Sequence, residues 1–478
     1  MKQEKYFYER SNLLESEVNI NFEELLWMDD SETTKWIDKM RNFILSEWDD
    51  KGIPPTIGQS EIQIRNNFKK LRDYNVQQFL IFDDSDNKNV IKNYNKFASG
   101  VNQFFPTMLK TRVGKSSIYD WFTDEYKDKF HKVIRRILKR DSMYNWSKCV
   151  LNGEELPEHF FVVQHKKNSI ENIYKTLTIE EIEKLDDKYK TNLPTELDDE
   201  NYKFLIHRFE LGQKLFPAGI QAFRLGLGQP AVNFPPLTAR WIYENYTKHI
   251  SKEETLNIYD PSSGWGGRIL GAMSSHRKIH YIGTDPNTDN FIDELGITRY
   301  EYVADFFNNK CLETNSFWEE DKNTYHIFQE GSEHIGNHKD FQQYKGKLDL
   351  IFTSPPYFDR EQYSDDAEQS FKAYPQYEDW RDNFLKPTLE NCYHSLKDDR
   401  YILWNIADIK IGKDKYYPLE QDSIDILTNL GMEYKGKLKM LMTSMVGVNQ
   451  ENVKNSVIIE KKALKYEPIF VFYKRENK

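Results

Sequence analysis

Two short segments of this 478-residue chain combine ligand-holding residue types at informative spacing. In the first, an apolar run ends in Asp260-Pro261 and a turn with Gly264, Gly266 and Gly267 opens a helix. Glycines at such a turn let backbone approach a ligand closely, and the helix start leaves N–H groups free. The pattern is D-P-x-x-G-x-G-G, not G-x-G-x-x-G. An acid at the strand tip repels a pyrophosphate and favours a cationic or amino-bearing ligand. The next apolar run ends in GTDPN, with Asp285-Pro286. An acid there is placed to accept hydrogen bonds from both ribose hydroxyls of an adenosine, although Asp-Pro is also a good helix start.

The two acids together suit a nucleoside carrying an amino acid and a positive charge, which describes S-adenosylmethionine. The second segment is LDLIFTSPPYFDR, where an apolar run enters Ser354-Pro355-Pro356-Tyr357. Two prolines fix φ and remove two backbone donors, so the carbonyls near Ser354 and Pro355 face outward as acceptors. The Ser354 hydroxyl adds a donor or acceptor, and Tyr357 an aromatic plane on which a base can stack, with Phe358 a weaker candidate. Acceptors at Ser354 and Pro355 would hold the two hydrogens of an exocyclic amino group and aim its nitrogen lone pair at a methyl donor. The alternative for SPPY alone is a rigid surface turn.

These segments need a scaffold. From residue 257 onward, apolar runs at 257–262, 278–285, 325–331, 348–354, 400–407, 430–440 and 467–475 alternate with helical stretches. That alternation predicts an α/β fold with crossover helices, its last two strands forming an antiparallel hairpin. The first 200 residues read mainly as helix, with apolar residues at three- and four-residue spacing in 20–30, 32–48 and 60–80 and in a longer helix from Ser117 to Arg140. The acidic, polar stretch 178–200 marks a domain boundary.

Composition sets further bounds. Acidic residues number 76 and basic residues 66, a net charge of −10, which by itself argues against a general nucleic-acid coat or a polybasic membrane binder. The distribution is uneven: residues 110–140 hold ten Lys/Arg against four Asp/Glu. Three cysteines without a CxxC pair support neither a zinc knuckle nor a disulfide framework and fit a reducing cytoplasm. His326, His334 and His338 only loosely imitate a metal set, so no metal is expected. No signal-peptide pattern and no 18-residue apolar run is present, so no membrane span is expected.

The motifs resemble those of the S-adenosylmethionine-dependent DNA amino-methyltransferases, which make N4-methylcytosine or N6-methyladenine. DPSSGWGG looks like their cofactor motif, GTDPN like their ribose-binding motif and TSPPY like their catalytic [DNS]PP[YFW] motif, with the serine form similar to that of the N4-cytosine enzymes. GLGQPAVNFPPLTARWIYENY resembles their amino-terminal cofactor segment, which implies that Asn233, Phe234 and Pro235 touch the methionine end of the cofactor. QEGSEHI stands where relatives carry an acid beside the adenine, which Ser332 and Glu333 share here. The resemblance covers about residues 215 to 478 and implies a doubly wound, Rossmann-like methyltransferase sheet of seven strands.

By this reading residues 1–200 form a mainly helical domain for DNA target recognition and residues 201–478 the catalytic domain. No room remains for a recognition domain elsewhere. Base flipping would bring the target to Tyr357, and transfer would be direct, without a covalent intermediate. No cysteine follows a proline, which speaks against C5-cytosine chemistry. In SEIQIRNNFKKLR, Ile62, Ile64, Phe68 and Leu71 should face inward, leaving Gln59, Gln63, Arg65, Asn66, Lys69, Lys70 and Arg72 outside as a helix-turn-helix-like reader or an ordinary solvated face. Lys110, Arg112, Lys115, Arg135 and Arg136 are candidates for phosphate contacts. A restriction endonuclease is a candidate partner. The competing expectations are adenine N6 as target, an RNA or protein-glutamine substrate, and a non-catalytic DNA-binding protein.

Overall fold

The structure is a computed structural model and describes residues 29–51, 59–76, 80–81, 89–92, 95–114, 116–135, 160–166, 169–177, 231–312, 322–363, 367, 369–412, 415–442, 454–459 and 462–476. Within these the chain forms a helix Asp30–Lys51, a helix Glu61–Arg72, strands β1 (Leu80–Ile81), β2 (Val90–Ile91) and β3 (Arg112–Val113), a helix over 127–135, and a hairpin of β4 (Phe160–Lys166) and β5 (Ser169–Leu177). Helix Pro236–Tyr246 follows, then β6 (Leu256–Asp260), helix Gly267–Met273, β7 (Ile279–Thr284), β8 (Phe291–Ile292), β9 (Ile297–Thr298), helix Arg299–Phe306 and β10 (Thr324–Phe328). Next come β11 (Leu348–Thr353), β12 (Glu361–Gln362), helix Lys386–Ser395, β13 (Leu396–Asn405), β14 (Ile409–Gly412), β15 (Lys415–Tyr417), helix Leu419–Asn429, β16 (Glu433–Leu441), β17 (Ser456–Ile459) and β18 (Lys462–Lys474).

The chain divides into two compact units, 1–58 with 115–230, and 59–114 with 231–478. Residues 59–114 therefore belong with the sheet and not with the rest of the amino-terminal region. The second unit is a mixed α/β sheet in the order β1-β2-β16-β18-β13-β11-β6-β7-β10, with β17 on β18. Strands β13, β11, β6, β7 and β10 are mutually parallel. Strand β18 runs antiparallel between β13 and β16. Among the described residues the sheet thus has ten strands, where seven are expected from the sequence. The seven read from the sequence lie side by side in it, extended by β1, β2 and β17. Two-residue strands carry no readable periodicity, so β1 and β2 could not be seen in the sequence.

Strand β11 is buried along its whole length, as a central parallel strand covered on both faces must be. Its one charge, Asp349, is compensated by Lys397 at 2.7 Å, Arg400 at 3.4 Å and the Asn257 N–H at 2.9 Å. Because the five parallel strands share a direction, Asp260, Thr284, Phe328, Thr353 and Asn405 all end at one edge of the sheet. That edge is where an open α/β sheet binds its ligand.

In the first unit, helix Asp30–Lys51 packs on residues 116–135. Arg41 donates to the Phe122 carbonyl at 2.7 Å and pairs with Asp124 at 2.8 Å, and His131 meets Asp38 at 2.8 Å. Trp121, Phe122, Tyr126, Phe130, Val133 and Ile134 are buried there. The helix expected from Ser117 begins only at residue 127. Ser117 and Asp120 exchange side-chain hydrogen bonds to each other's backbone N–H, at 2.8 and 3.1 Å, and fold 117–126 into tight turns instead. The β4–β5 hairpin adds strand to a region read as mainly helical. The reading of 20–30 as helix falls, up to residue 28, outside the described residues.

Candidate active site

At the edge where the parallel strands end, the glycine turn is built from backbone that only glycine adopts without strain. Gly264 has φ +62° and Gly266 φ +77°. A Cβ on Gly266 would lie 2.5 Å from the Phe105 ring, and one on Gly267 2.1 Å from the Phe234 carbonyl oxygen. The motif therefore satisfies two demands at once: a left-handed turn and close packing against the Asn233-Phe234-Pro235 turn. Asn233 is buried and donates to the Trp265 carbonyl at 2.7 Å and to Asn102 at 3.0 Å. The Phe234 ring packs edge-on against Phe352 at 5.2 Å, with the Arg268 guanidinium 5.6 Å from its centre.

Asp260 has a different duty from the one expected. Its carboxylate is fully buried and accepts from Arg268 Nε at 2.7 Å, Tyr281 Oη at 2.6 Å and Thr353 Oγ1 at 2.7 Å. With the Ser262 N–H also on it at 3.3 Å, it holds the turn together instead of facing a ligand. Arg268 in turn reaches the Ser262 carbonyl. Thr284 Oγ1 donates to the Pro261 carbonyl at 2.6 Å and closes the turn from the neighbouring strand.

Asp285 is half-buried at the tip of β7, and burial pushes its carboxyl up to about 6, against hydrogen bonds from Asn287, Tyr300 and Gly264 that favour the charged form. The Tyr300 hydroxyl sits 2.8 Å from Asp285 Oδ2 and also meets the Gly264 carbonyl, so it ties the two tips together. Pro286 follows, half-exposed. At the end of β10, Ser332 is buried with its hydroxyl 3.0 Å from that of Thr388. Asn391 of helix Lys386–Ser395 donates to the carbonyls of Ser332 and Glu333 at 2.9 and 3.2 Å and fixes this loop. Glu333 Oε1 lies 3.8 Å from His334.

The SPPY turn leaves β11 beside the glycine turn, joined to it by the Thr353–Asp260 hydrogen bond. Ser354, Pro356 and Tyr357 are half-buried and Pro355 buried. The Tyr357 hydroxyl is anchored 2.5 Å from Glu467 Oε1 and 3.1 Å from the Asn405 carbonyl. Phe358 adopts φ +44°, unusual for a bulky residue, and is buried against Tyr377, Trp380 and Tyr417 at 5.6, 5.7 and 5.1 Å. A ring buried in that cluster does not stack on a base, so Phe358 is structural.

Sequence reasoning missed Arg268, Thr353, Tyr300, Asn391, Glu467 and Phe105. Thr353 sits inside a motif and Arg268 directly after one; the others reach the site through tertiary contacts that no local pattern records.

Among the candidate nucleic-acid contacts, Arg112 lies on β3 and pairs with Gln362 of β12, five residues beyond Tyr357, so 112–113 flanks the loop that follows SPPY. Lys110 is exposed two residues before it. Arg65 is exposed and 3.9 Å from Glu61, and Lys69 is exposed on the same helix. Ile62, expected to face inward, is 71% exposed. Arg72, expected to face solvent, reaches the Ser275 carbonyl at 3.2 Å, while Phe68 stacks on Phe307 at 4.9 Å. Arg135 is occupied by Asp30 at 2.9 Å and Thr34 at 2.7 Å. Lys115 and Arg136 lie outside the described residues. Among the described residues no three His, Cys, Asp or Glu converge as a metal set, and no helix is long and apolar enough to cross a membrane.

Solved structures that match parts of the chain include a candidate DNA modification methylase from Thermus thermophilus complexed with S-adenosyl-L-methionine. It is 15% identical, with 31% of this chain and 54% of that chain covered and a TM-score of 0.21. TrmN from Thermus thermophilus is 11% identical, covering 50% and 48%, with a TM-score of 0.27. A SAM-dependent methyltransferase from Agrobacterium tumefaciens is 12% identical, covering 52% and 65%, with a TM-score of 0.30. The chain thus spans about half the length of the Thermus methylase. No curated protein matches it. Residues 348–478, from the strand that enters TSPPY to the end of the chain, match the model of the DNA methylase family of N6/N4 type.

Proposed function

We propose that this chain is an S-adenosylmethionine-dependent DNA methyltransferase acting on the exocyclic amino group of a flipped base, with cytosine N4 as the target. The observation that carries the reading is the 2.7 Å hydrogen bond from Thr353 to Asp260, which binds the tip of the catalytic strand to the tip of the cofactor strand. An amino-group pocket and a nucleoside pocket must adjoin for direct transfer, and this bond makes them adjoin.

The residues present fit the cofactor. The turn takes the left-handed backbone at Gly264 and Gly266 that brings its main chain to the strand tips, and Ser263 Oγ is buried there without a hydrogen-bond partner among the described residues. Asp285 would accept the ribose hydroxyls and the loop at Ser332 and Glu333 would border the adenine. The Asn233-Phe234-Pro235 turn would bound the methionine end, acting through its packing on the glycine turn, because the Asn233 amide is already spent on Trp265 and Asn102. When bound, the cofactor supplies an electrophilic methyl on a sulfonium.

The chain's own residues do the rest. Ser354 and the Pro355 carbonyl accept the two amino hydrogens, which turns the nitrogen lone pair outward. Tyr357 stacks on the base with its hydroxyl pinned. Lys110 and Arg112, next to the loop that follows SPPY, would meet phosphates flanking the flipped base, with Arg65 and Lys69 of the same unit as further basic contacts. The serine at the head of SPPY favours cytosine over adenine. Nucleoside mass spectrometry of DNA incubated with protein and cofactor tests this: N4-methylcytosine is expected, and N6-methyladenine alone overturns the cytosine assignment.

A further inference from the structure

Glu467 lies 110 residues from Tyr357 and outside every motif, yet its carboxylate is 2.5 Å from the Tyr357 hydroxyl. Topology explains the meeting. Strand β18 runs antiparallel to β13, with Asn405 opposite Ile469, so the first part of β18 lies where β13 ends, at the site. The hydroxyl of Tyr357 has one proton to give. The carboxylate at 2.5 Å takes it, and the Asn405 carbonyl at 3.1 Å is the longer branch. With its proton held between Glu467 and the Asn405 carbonyl, the Tyr357 hydroxyl is pinned and its ring is fixed at the end of β11.

We propose that Glu467 is a positioning residue which, through the Tyr357 hydroxyl, fixes the ring on which the target base stacks beside the SPPY turn. The inference rests on the amino-methyltransferase reading above. Arg360, Lys465 and Glu361 surround the pair, and burial raises both carboxyls, Glu467 and Glu361, within this shell.

The test uses the full chain with DNA and cofactor and the variants Glu467→Ala, Glu467→Gln, Tyr357→Phe and the Glu467→Ala/Tyr357→Phe double. Losing one charge-assisted hydrogen bond from the transition state lowers kcat by about ten- to a hundredfold in Glu467→Ala, with the cofactor KM within about twofold. Glu467→Gln, whose amide oxygen still accepts, stays within about fivefold of wild type. In the Tyr357→Phe background Glu467→Ala adds less than about twofold, because the two act through one chain. Wild-type kcat in Glu467→Ala, an equal loss in Glu467→Gln, or a full further loss in the double variant overturns the inference while leaving the functional reading intact. Should Glu467→Ala not fold, Tyr357→Phe alone reads the same chain, and wild-type kcat there overturns it. A wild type that methylates no DNA amino group overturns the reading and this inference together.

Discussion

At the scale of single residues, the two strand-tip acids separate: Asp260 is a buried hub, and Asp285 is the acid proposed to face the ribose. Removing one member of a buried ion pair strands the other, so Arg268→Met should cost about 3–5 kcal/mol in unfolding free energy, read from denaturant curves. Asp285 predicts a pH dependence. Its carboxyl is raised to about 6, so the ionised form that accepts ribose hydroxyls prevails above that pH. Cofactor affinity, measured by calorimetry, should therefore weaken as pH falls through about 6, and Asp285→Asn should bind weakly at every pH without that slope. For the ligand-free protein the sign is opposite: the stability contributed by neutral Asp285 is complete below the ordinary carboxylate pKa and is lost as pH rises through about 6. Glycine and proline motifs were legible because they encode local backbone demands. Asp260 was legible as a site residue but not in its role, since Tyr281 and Thr353 reach it from other strands.

At the scale of elements, the SPPY turn is held from both sides. Behind it, Phe358 locks into Tyr377, Trp380 and Tyr417, and the left-handed backbone at Phe358 persists because that cluster over-determines it. Phe358→Ala removes a buried aromatic and should cost about 3–5 kcal/mol while lowering kcat more than it raises the cofactor KM. Beside the turn, Gly266→Ala meets both a positive φ and the Phe105 ring, and should weaken cofactor binding and lower the melting temperature. The strands of the parallel sheet were readable because buried strands form short apolar runs between turns. The insertion of β18 between β13 and β16 was not readable, because strand order is a long-range property. Glu467 was hidden for the same reason. The β4–β5 hairpin did leave a signal, the aromatic and β-branched run FFVV at 160–163, outweighed by the helical reading around it.

At the scale of the whole molecule, a net charge of −10 has to be reconciled with the nucleic-acid substrate proposed above. The excess is local: residues 178–200 hold nine Asp/Glu against three Lys, while Asp260 and Asp349 are each paired with a cation and add nothing to it. The proposed DNA affinity then rests on local basic contacts such as Lys110 and Arg112 and should fall with salt in proportion to their number. Replacing Lys110 and Arg112 together should reduce the slope of log K against log salt by about 2, with base preference unchanged. The account stands or falls on transfer at the SPPY turn. The direct measurement is methyl incorporation into DNA, resolved by nucleoside, for wild type and for the Ser354→Ala/Tyr357→Ala variant at saturating cofactor. The predicted result is N4-methylcytosine from wild type and its loss in the variant with cofactor binding retained. Undiminished methylation by the variant, or methyl appearing at cytosine C5, would contradict it.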